Sequence, residues 1–306
     1  MLIVISTLLV GVFILAGVLL AISPGKPELF LDENGKLLAG SISEKIFVDI
    51  NGVKQGMFIK MNVEQMVSDT IELTNYLRQC FGVEKIYLMG HSGGTFIGVQ
   101  AAARAPELYY AYIGVAQMSY QIKSEQLAYE YMLQQFKENG DTKMVRKLEA
   151  TPVTMMDGTP DSYLVVRDAA MHSLGIGTTH DMSSVVTGIL LPSFQFPEYT
   201  LSEKINLWRA KSQSSVSSLW AEMMVIDLTQ QVTELEIPVY FFEGIYDYTV
   251  NYTLAKDYFD KLNAPVKGFY IFRESAHSPM FEEPEKTQRI LLEDVLAGTN
   301  NLSDAK

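Results

Sequence analysis

Ser92 stands in Gly90-His91-Ser92-Gly93-Gly94, a G-x-S-x-G spacing suited to a serine held on a sharp turn between a strand and a helix. A serine hydroxyl is a poor nucleophile until a base takes its proton, so a histidine must be found as well. The chain has four: His91, His172, His180 and His277. His91 lies inside the turn, where the backbone directs its ring away from the neighbouring serine oxygen, and it reads as a packing residue. His172 and His180 fall in a helix-rich stretch and read as structural or substrate-lining. His277 follows the last predicted strand, in Glu274-Ser275-Ala276-His277-Ser278-Pro279. Ligands and reacting groups in open α/β sheets gather at the carboxyl ends of strands, which suits His277 as a general base. A carboxylate must then orient the imidazole and stabilise its charged form. Asp247, at the carboxyl end of the penultimate predicted strand, is the candidate; Glu243 is the rival but lies nearer the strand body. Ser92, Asp247 and His277 follow the order Ser, Asp, His expected around a turn of this kind.

The elements around these residues are legible from their periodicity. An apolar run, Ile86-Tyr87-Leu88-Met89, enters the Ser92 turn, and a small-residue helix from Thr95 to Arg104 leaves it. Gly90 and Gly94 are expected to let strand and helix approach where a Cβ would collide. The helix N-terminus behind Ser92 favours negative charge developing there. Upstream, strand-like runs flank Asn51-Gly52, a pair suited to a two-residue hairpin turn. Asn62, with Gln65 three residues on, reads as the capping box of a helix that Gly82 stops. Strand–helix–strand order is the mark of a parallel α/β sheet. It is interrupted over residues 120–236 by helical segments rich in Tyr, Met and Leu. The strand pattern returns at Val239 and again at Val266, before a closing helix over residues 284–296.

With the GHSGG turn, the Gly244-Ile245-Tyr246-Asp247 turn and the Ala276-His277-Ser278-Pro279 loop, the chain resembles the α/β-hydrolase superfamily, and within it the proline iminopeptidase-like branch. The resemblance covers roughly residues 43–296. It implies a mostly parallel sheet flanked by helices, with an inserted helical cap. It also implies Ser92 as nucleophile, Asp247 as orienting acid, His277 as base and the Gly93 amide as one oxyanion donor. The substrate it implies is a small-molecule ester, an amide or a short peptide, cleaved through an acyl-enzyme, with no cofactor and no metal. An aminopeptidase would also need carboxylates for the substrate's free amine, and Glu222, Asp227 and Glu243 are candidates. The chain departs from the family at the join of Lys60 and Met61. Members place two further strands, a helix and a His-Gly type oxyanion loop there, and this sequence has no His-Gly dipeptide. A strand–helix–strand unit takes about 30 residues or more, so the sheet is expected to lack strands between the N-terminal hairpin and the nucleophile strand. Residues 87–89 would then have an unpaired edge, or the hairpin would dock there. A missing oxyanion donor costs roughly 3–4 kcal/mol of transition-state stabilisation. A degenerate relative with little or no turnover, and a non-hydrolytic user of the fold such as an acyltransferase or ligand binder, therefore stand beside the serine hydrolase.

Composition narrows the rest. A formal charge of −12, from 24 Lys and Arg against 36 Asp and Glu, and no basic cluster argue against nucleic-acid binding. A single cysteine, Cys80, excludes an intrachain disulfide framework and a multi-cysteine metal site. Residues 2–22 run 21 positions without a charge. As a helix they would measure about 30 Å, enough for a bilayer core. The expected organisation is a transmembrane anchor or uncleaved signal over residues 1–23 and a linker over 24–41. A hydrolase core follows over 42–119 and 237–298, with a helical cap over 120–236 and a tail over 299–306. The expected localisation is at a membrane.

Overall fold

The computed structural model describes residues 31, 35–36, 42–50, 53–61, 63–156, 158–195, 201–214 and 218–305. The chain divides into two compact units, residues 1–62 and 63–306. In the first, β1 (Ile42–Ile50) and β2 (Val53–Met61) form an antiparallel hairpin whose register closes with Ile50 opposite Val53. That register is the one a two-residue turn imposes; Asn51, Gly52 and the expected cap Asn62 lie outside the described residues.

The second unit opens with α1 (Val63–Phe81), β3 (Ile86–His91), α2 (Gly93–Arg104) and β4 (Tyr109–Val115). Gly82, at φ 63°, ends α1 as expected, because the left-handed conformation there carries no Cβ penalty. Helices α3 (Gln121–Glu138), α4 (Thr142–Glu149), α5 (Asp161–Ser173), α6 (Leu191–Gln195), α7 (Leu201–Ser214), α8 (Ser218–Val225) and α9 (Leu228–Gln231) follow. The chain then returns through β5 (Val239–Gly244), α10 (Tyr252–Lys261) and β6 (Lys267–Phe272). It closes with α11 (Pro279–Glu282) and α12 (Pro284–Ile290). The exit from β4 and the end of the long helical segment are stitched together. Tyr120 bridges Asp227, and the Leu228 amide donates to the Ser119 carbonyl at 2.8 Å.

The main sheet has four parallel strands in the order β3-β4-β5-β6. This is the mostly parallel sheet flanked by helices that the resemblance implies, and among the described residues β3 pairs with β4 alone. One sheet face is packed by α1, α2 and α10, through residues such as Val67, Phe96, Tyr112, Phe241 and Phe259. The other carries Ala111, Ile113, Tyr240, Phe242 and Tyr270 against Ile290 and Val295 of the C-terminal helical run. A third apolar cluster lies within the helical segment, where Tyr129, Met132, Phe136, Leu148, Tyr163 and Met224 pack together. Those aromatic and methionine side chains are helix-packing core.

The expectation of a membrane-anchored protein is corrected. Among the described residues no helix is long and apolar enough to cross a membrane. The physical reason is visible in the longest helix, α1, where Glu64, Asp69, Glu72 and Arg78 interrupt the apolar positions. Residues 2–22, on which that expectation rested, lie outside the described residues.

Candidate active site

Ser92 sits between β3 and α2 with φ 55° and ψ −125°, a backbone region that costs a non-glycine residue about 1–3 kcal/mol. The conformation persists because hydrogen bonds over-determine it. The Ser92 amide donates to the Val115 carbonyl at 3.0 Å, and the Ser92 carbonyl accepts from the Thr95 amide at 2.8 Å and the Thr95 hydroxyl at 2.6 Å. The same Thr95 hydroxyl accepts the Met118 amide at 2.9 Å. One buried threonine thus ties the turn to the loop leaving β4, and no motif announced it. Of the two glycines expected to relieve crowding, only Gly90 does so. A Cβ on Gly90 would stand 2.6 Å from the Gly94 carbonyl oxygen, whereas one on Gly94 would meet nothing within 4 Å. Gly94 is at the solvent-facing side of the turn and has no steric reason to be glycine. Gly93 is the first residue of α2 and lies under Met223 of α8, whose Cε would be 3.3 Å from an added Cβ.

Asp247 and His277 are brought together. His277 Nδ1 donates to Asp247 Oδ2 at 2.8 Å, with both side chains buried. The other carboxylate oxygen of Asp247 accepts the Val250 amide at 2.9 Å. A neutral imidazole with Nδ1–H engaged in this way presents Nε2 as an acceptor, the form a general base needs. The approach of the two loops depends on Gly244, the last residue of β5. An added Cβ there would lie 2.0 Å from the Ala276 carbonyl oxygen.

His91 joins the Ser92 turn to the His277 loop. Its Nε2 donates to the His277 carbonyl at 2.7 Å, and the two rings lie 5.0 Å apart. Burial, reinforced by the proximity of His277, holds the His91 imidazole below its ordinary protonation range. The Ser92 hydroxyl and the His277 ring are not hydrogen-bonded; the ring's bond is to Asp247. His172 and His180 lie outside this cluster. His172 donates to the Asp168 carbonyl at 2.6 Å and accepts from the Thr178 hydroxyl at 3.1 Å. His180 stacks on Tyr246 with centroids 3.8 Å apart.

The carboxylates considered for a substrate amine each have a partner in the protein. Asp227 caps α9 through the Thr229 amide at 3.0 Å. Glu222 accepts the Val63 amide at 3.2 Å, satisfying the first turn of α1, and burial raises its pKa. Glu243 is fully buried and accepts the Gln117 amide at 2.9 Å, while its second oxygen has no partner. Burial drives its pKa well above the usual carboxyl range, with Asp247 adding to the effect. Among the described residues no group of His, Cys, Asp or Glu is arranged to hold a metal ion.

Comparison with known proteins agrees with this architecture. A probable aminopeptidase of Bacillus subtilis (strain 168), YbaC, is 27% identical over 230 residues, which span 73% of this chain and 69% of that protein. The crystal structure of proline iminopeptidase from Mycobacterium smegmatis superposes with a TM-score of 0.51 at 12% identity, over 79% of this chain and 75% of that one. Residues 63–284 match the family model described as the alpha/beta hydrolase fold, and the chain therefore belongs to the α/β-hydrolase family.

Proposed function

We propose that this α/β-hydrolase is a serine hydrolase that cleaves an ester, amide or short-peptide bond through an acyl-enzyme. The observation that carries the reading is the buried Asp247–His277 pair, bonded at 2.8 Å, on the loop that His91 ties to the Ser92 turn. Ser92 Oγ attacks the substrate carbonyl while its proton passes to His277 Nε2. Asp247 stabilises the imidazolium that results. The oxyanion takes a hydrogen bond from the Gly93 amide at the start of α2. Collapse of the tetrahedral intermediate breaks the bond to the leaving group, which departs with the proton from His277. Water then attacks the acyl-serine by the same route in reverse, and the hydroxyl of Ser92 is restored. The likeness to a probable aminopeptidase supports aminoacyl substrates as the first to try.

A fluorophosphonate probe, with p-nitrophenyl esters and aminoacyl anilides as substrates, tests this reading. Labelling and turnover by the wild type, both abolished in Ser92→Ala, are expected. A wild type labelled no more than Ser92→Ala overturns it in favour of a degenerate relative. That second reading rests on the sheet ending at β3 and on the missing His-Gly loop. A single lost oxyanion donor lowers turnover by about 100- to 1,000-fold without abolishing it.

A further inference from the structure

Glu282 reads from sequence as one of three acidic residues favouring a helix start. Its side chain turns back instead onto the loop that carries His277. Oε2 of Glu282 accepts the Ala276 amide at 3.1 Å and the Ser278 amide at 3.3 Å, and Oε1 accepts Ala276 again at 3.3 Å together with the His180 amide. The amides on either side of His277 are thus held by one carboxylate, and charge-assisted bonds of this type are the stronger kind. The amide of His277 itself donates to the Gly177 carbonyl at 3.3 Å, and Tyr248, next to Asp247, donates to the Ile176 carbonyl at 3.4 Å. Residues 176–180 of the helical segment therefore bond His277 and Tyr248, the residue after Asp247, and Glu282 clamps their far end.

We propose that Glu282 is a positioning residue for His277, a carboxylate clamp that fixes the imidazole's loop and locks it to residues 176–180 of the helical segment. The proposal rests on the reading of His277 as the general base. Replacing Glu282 by Gln keeps the shape but turns one acceptor oxygen into a donor, which faces a backbone N–H and opens the clamp. A displacement of about 1 Å at a reacting group lowers rates by up to about 100-fold.

Glu282→Gln is expected to lower kcat by about 10- to 100-fold on the best ester or anilide, with KM within about two-fold of wild type. Glu282→Asp, which keeps the charge on a shorter stem, should recover part of the loss, and the exposed Glu285→Gln should match wild type. The pH profile separates positioning from mere scaffolding. Burial raises the Glu282 pKa, and Asp181 on the helical segment raises it further, while the amides of His180, Ala276 and Ser278 oppose both. His180 and His277 are the other titratable groups beside the clamp, and the neighbouring Glu283 bonds the Glu274 amide and the Ser275 hydroxyl. As pH falls and Glu282 takes up a proton, wild type comes to resemble Glu282→Gln, so the ratio of their kcat values should shrink toward one. A ratio that stays constant with pH, or an unchanged kcat, overturns the proposal. Amide hydrogen exchange supplies a readout independent of turnover: residues 276 and 278 should exchange at least about ten-fold faster in Glu282→Gln. Unchanged exchange overturns the clamp even in an active enzyme. Loss of Ser92 labelling in wild type instead removes the catalytic reading while leaving the clamp measurable.

Discussion

β5 and β3 each deliver a loop to the candidate site, and they are held in opposite ways. Every residue of β5 is buried, and the strand is paired on both sides, as the core of a parallel sheet requires. The turn after it is pinned at each step: Asp247 N to the Gly244 carbonyl at 3.1 Å, Val250 N to the Asp247 carboxylate at 2.9 Å, Asn251 N to the Ser124 hydroxyl at 2.6 Å. β3 is an edge. Its Tyr87 and Met89 are 38% and 42% exposed, on the face where the C-terminal helices cover β4 to β6 but not β3. The Asp247–His277 half of the candidate site is fixed by neighbours on all sides. The Ser92 half depends on β4, on α2 and on the bonds of Thr95. Among the described residues the sheet therefore ends on the Ser92 side, away from the Asp247–His277 pair.

The most severe break in this comparison is at Asp247. Asp247→Asn preserves volume but replaces an acceptor by a donor facing His277, and so favours the wrong imidazole tautomer. We expect kcat to fall by about 1,000- to 10,000-fold, measured by steady-state turnover, with the melting temperature near that of wild type. A large loss of stability with a modest loss of rate would mean that the pair is structural.

The two strands should also differ in thermodynamic weight. Phe242 of β5 is fully buried, with its ring 5.3 Å from Tyr270 and 5.7 Å from Phe272. Phe242→Ala should cost about 3–5 kcal/mol, from lost burial and the cavity left behind. Urea unfolding monitored by circular dichroism measures it.

What sequence made legible divides along the same line. Strand runs at residues 86–90 and 239–242 are continuous and apolar, so a parallel sheet followed from pattern alone. The positions of Asp247 and His277 just beyond strand ends followed from topology. Glu282 and Thr95 were invisible, because their partners are backbone N–H and C=O groups that every residue carries. The glycine spacing around Ser92 suggested two close contacts where only Gly90 makes one. His91 reads as a packing residue because the turn directs its ring away from the Ser92 oxygen, and its partner, the His277 carbonyl, is 186 residues away where no local pattern could point to it. The anchor expected over residues 1–23 rests on the length of an uncharged run that lies outside the described residues, and among the described residues no helix is long and apolar enough to cross a membrane.

A smaller effect sharpens the picture of the buried half. Burial holds the Glu243 carboxyl well above the usual carboxylate range; the Gln117 amide opposes that shift and the Asp247 charge adds to it. A carboxyl whose folded pKa exceeds its unfolded one contributes stability below about pH 4.5 and loses it as pH rises through the folded value. Wild type should therefore be less stable at pH 8 than at pH 5 through this group. Glu243→Gln keeps an acceptor for the Gln117 amide and cannot ionise, so it should flatten that slope. Each kcal/mol regained at pH 8 raises the melting temperature by about 2–4 °C, and thermal melts of both proteins at the two pH values measure it.

The smallest effect is expected at the edge. Met89 projects from β3 beside Tyr87, which lies 5.3 Å from the half-exposed Tyr110. A side chain already in water contributes little to folding, so Met89→Lys should change stability by less than about 0.5 kcal/mol. An unpaired strand edge with apolar neighbours also invites pairing with other chains, and a lysine on it opposes that. The variant should then scatter less light than wild type at equal concentration while unfolding at the same urea midpoint. A loss above about 1 kcal/mol would instead mean that the Met89 side chain is covered in solution. The contrast between β3 and β5 would then be one of partners rather than of exposure.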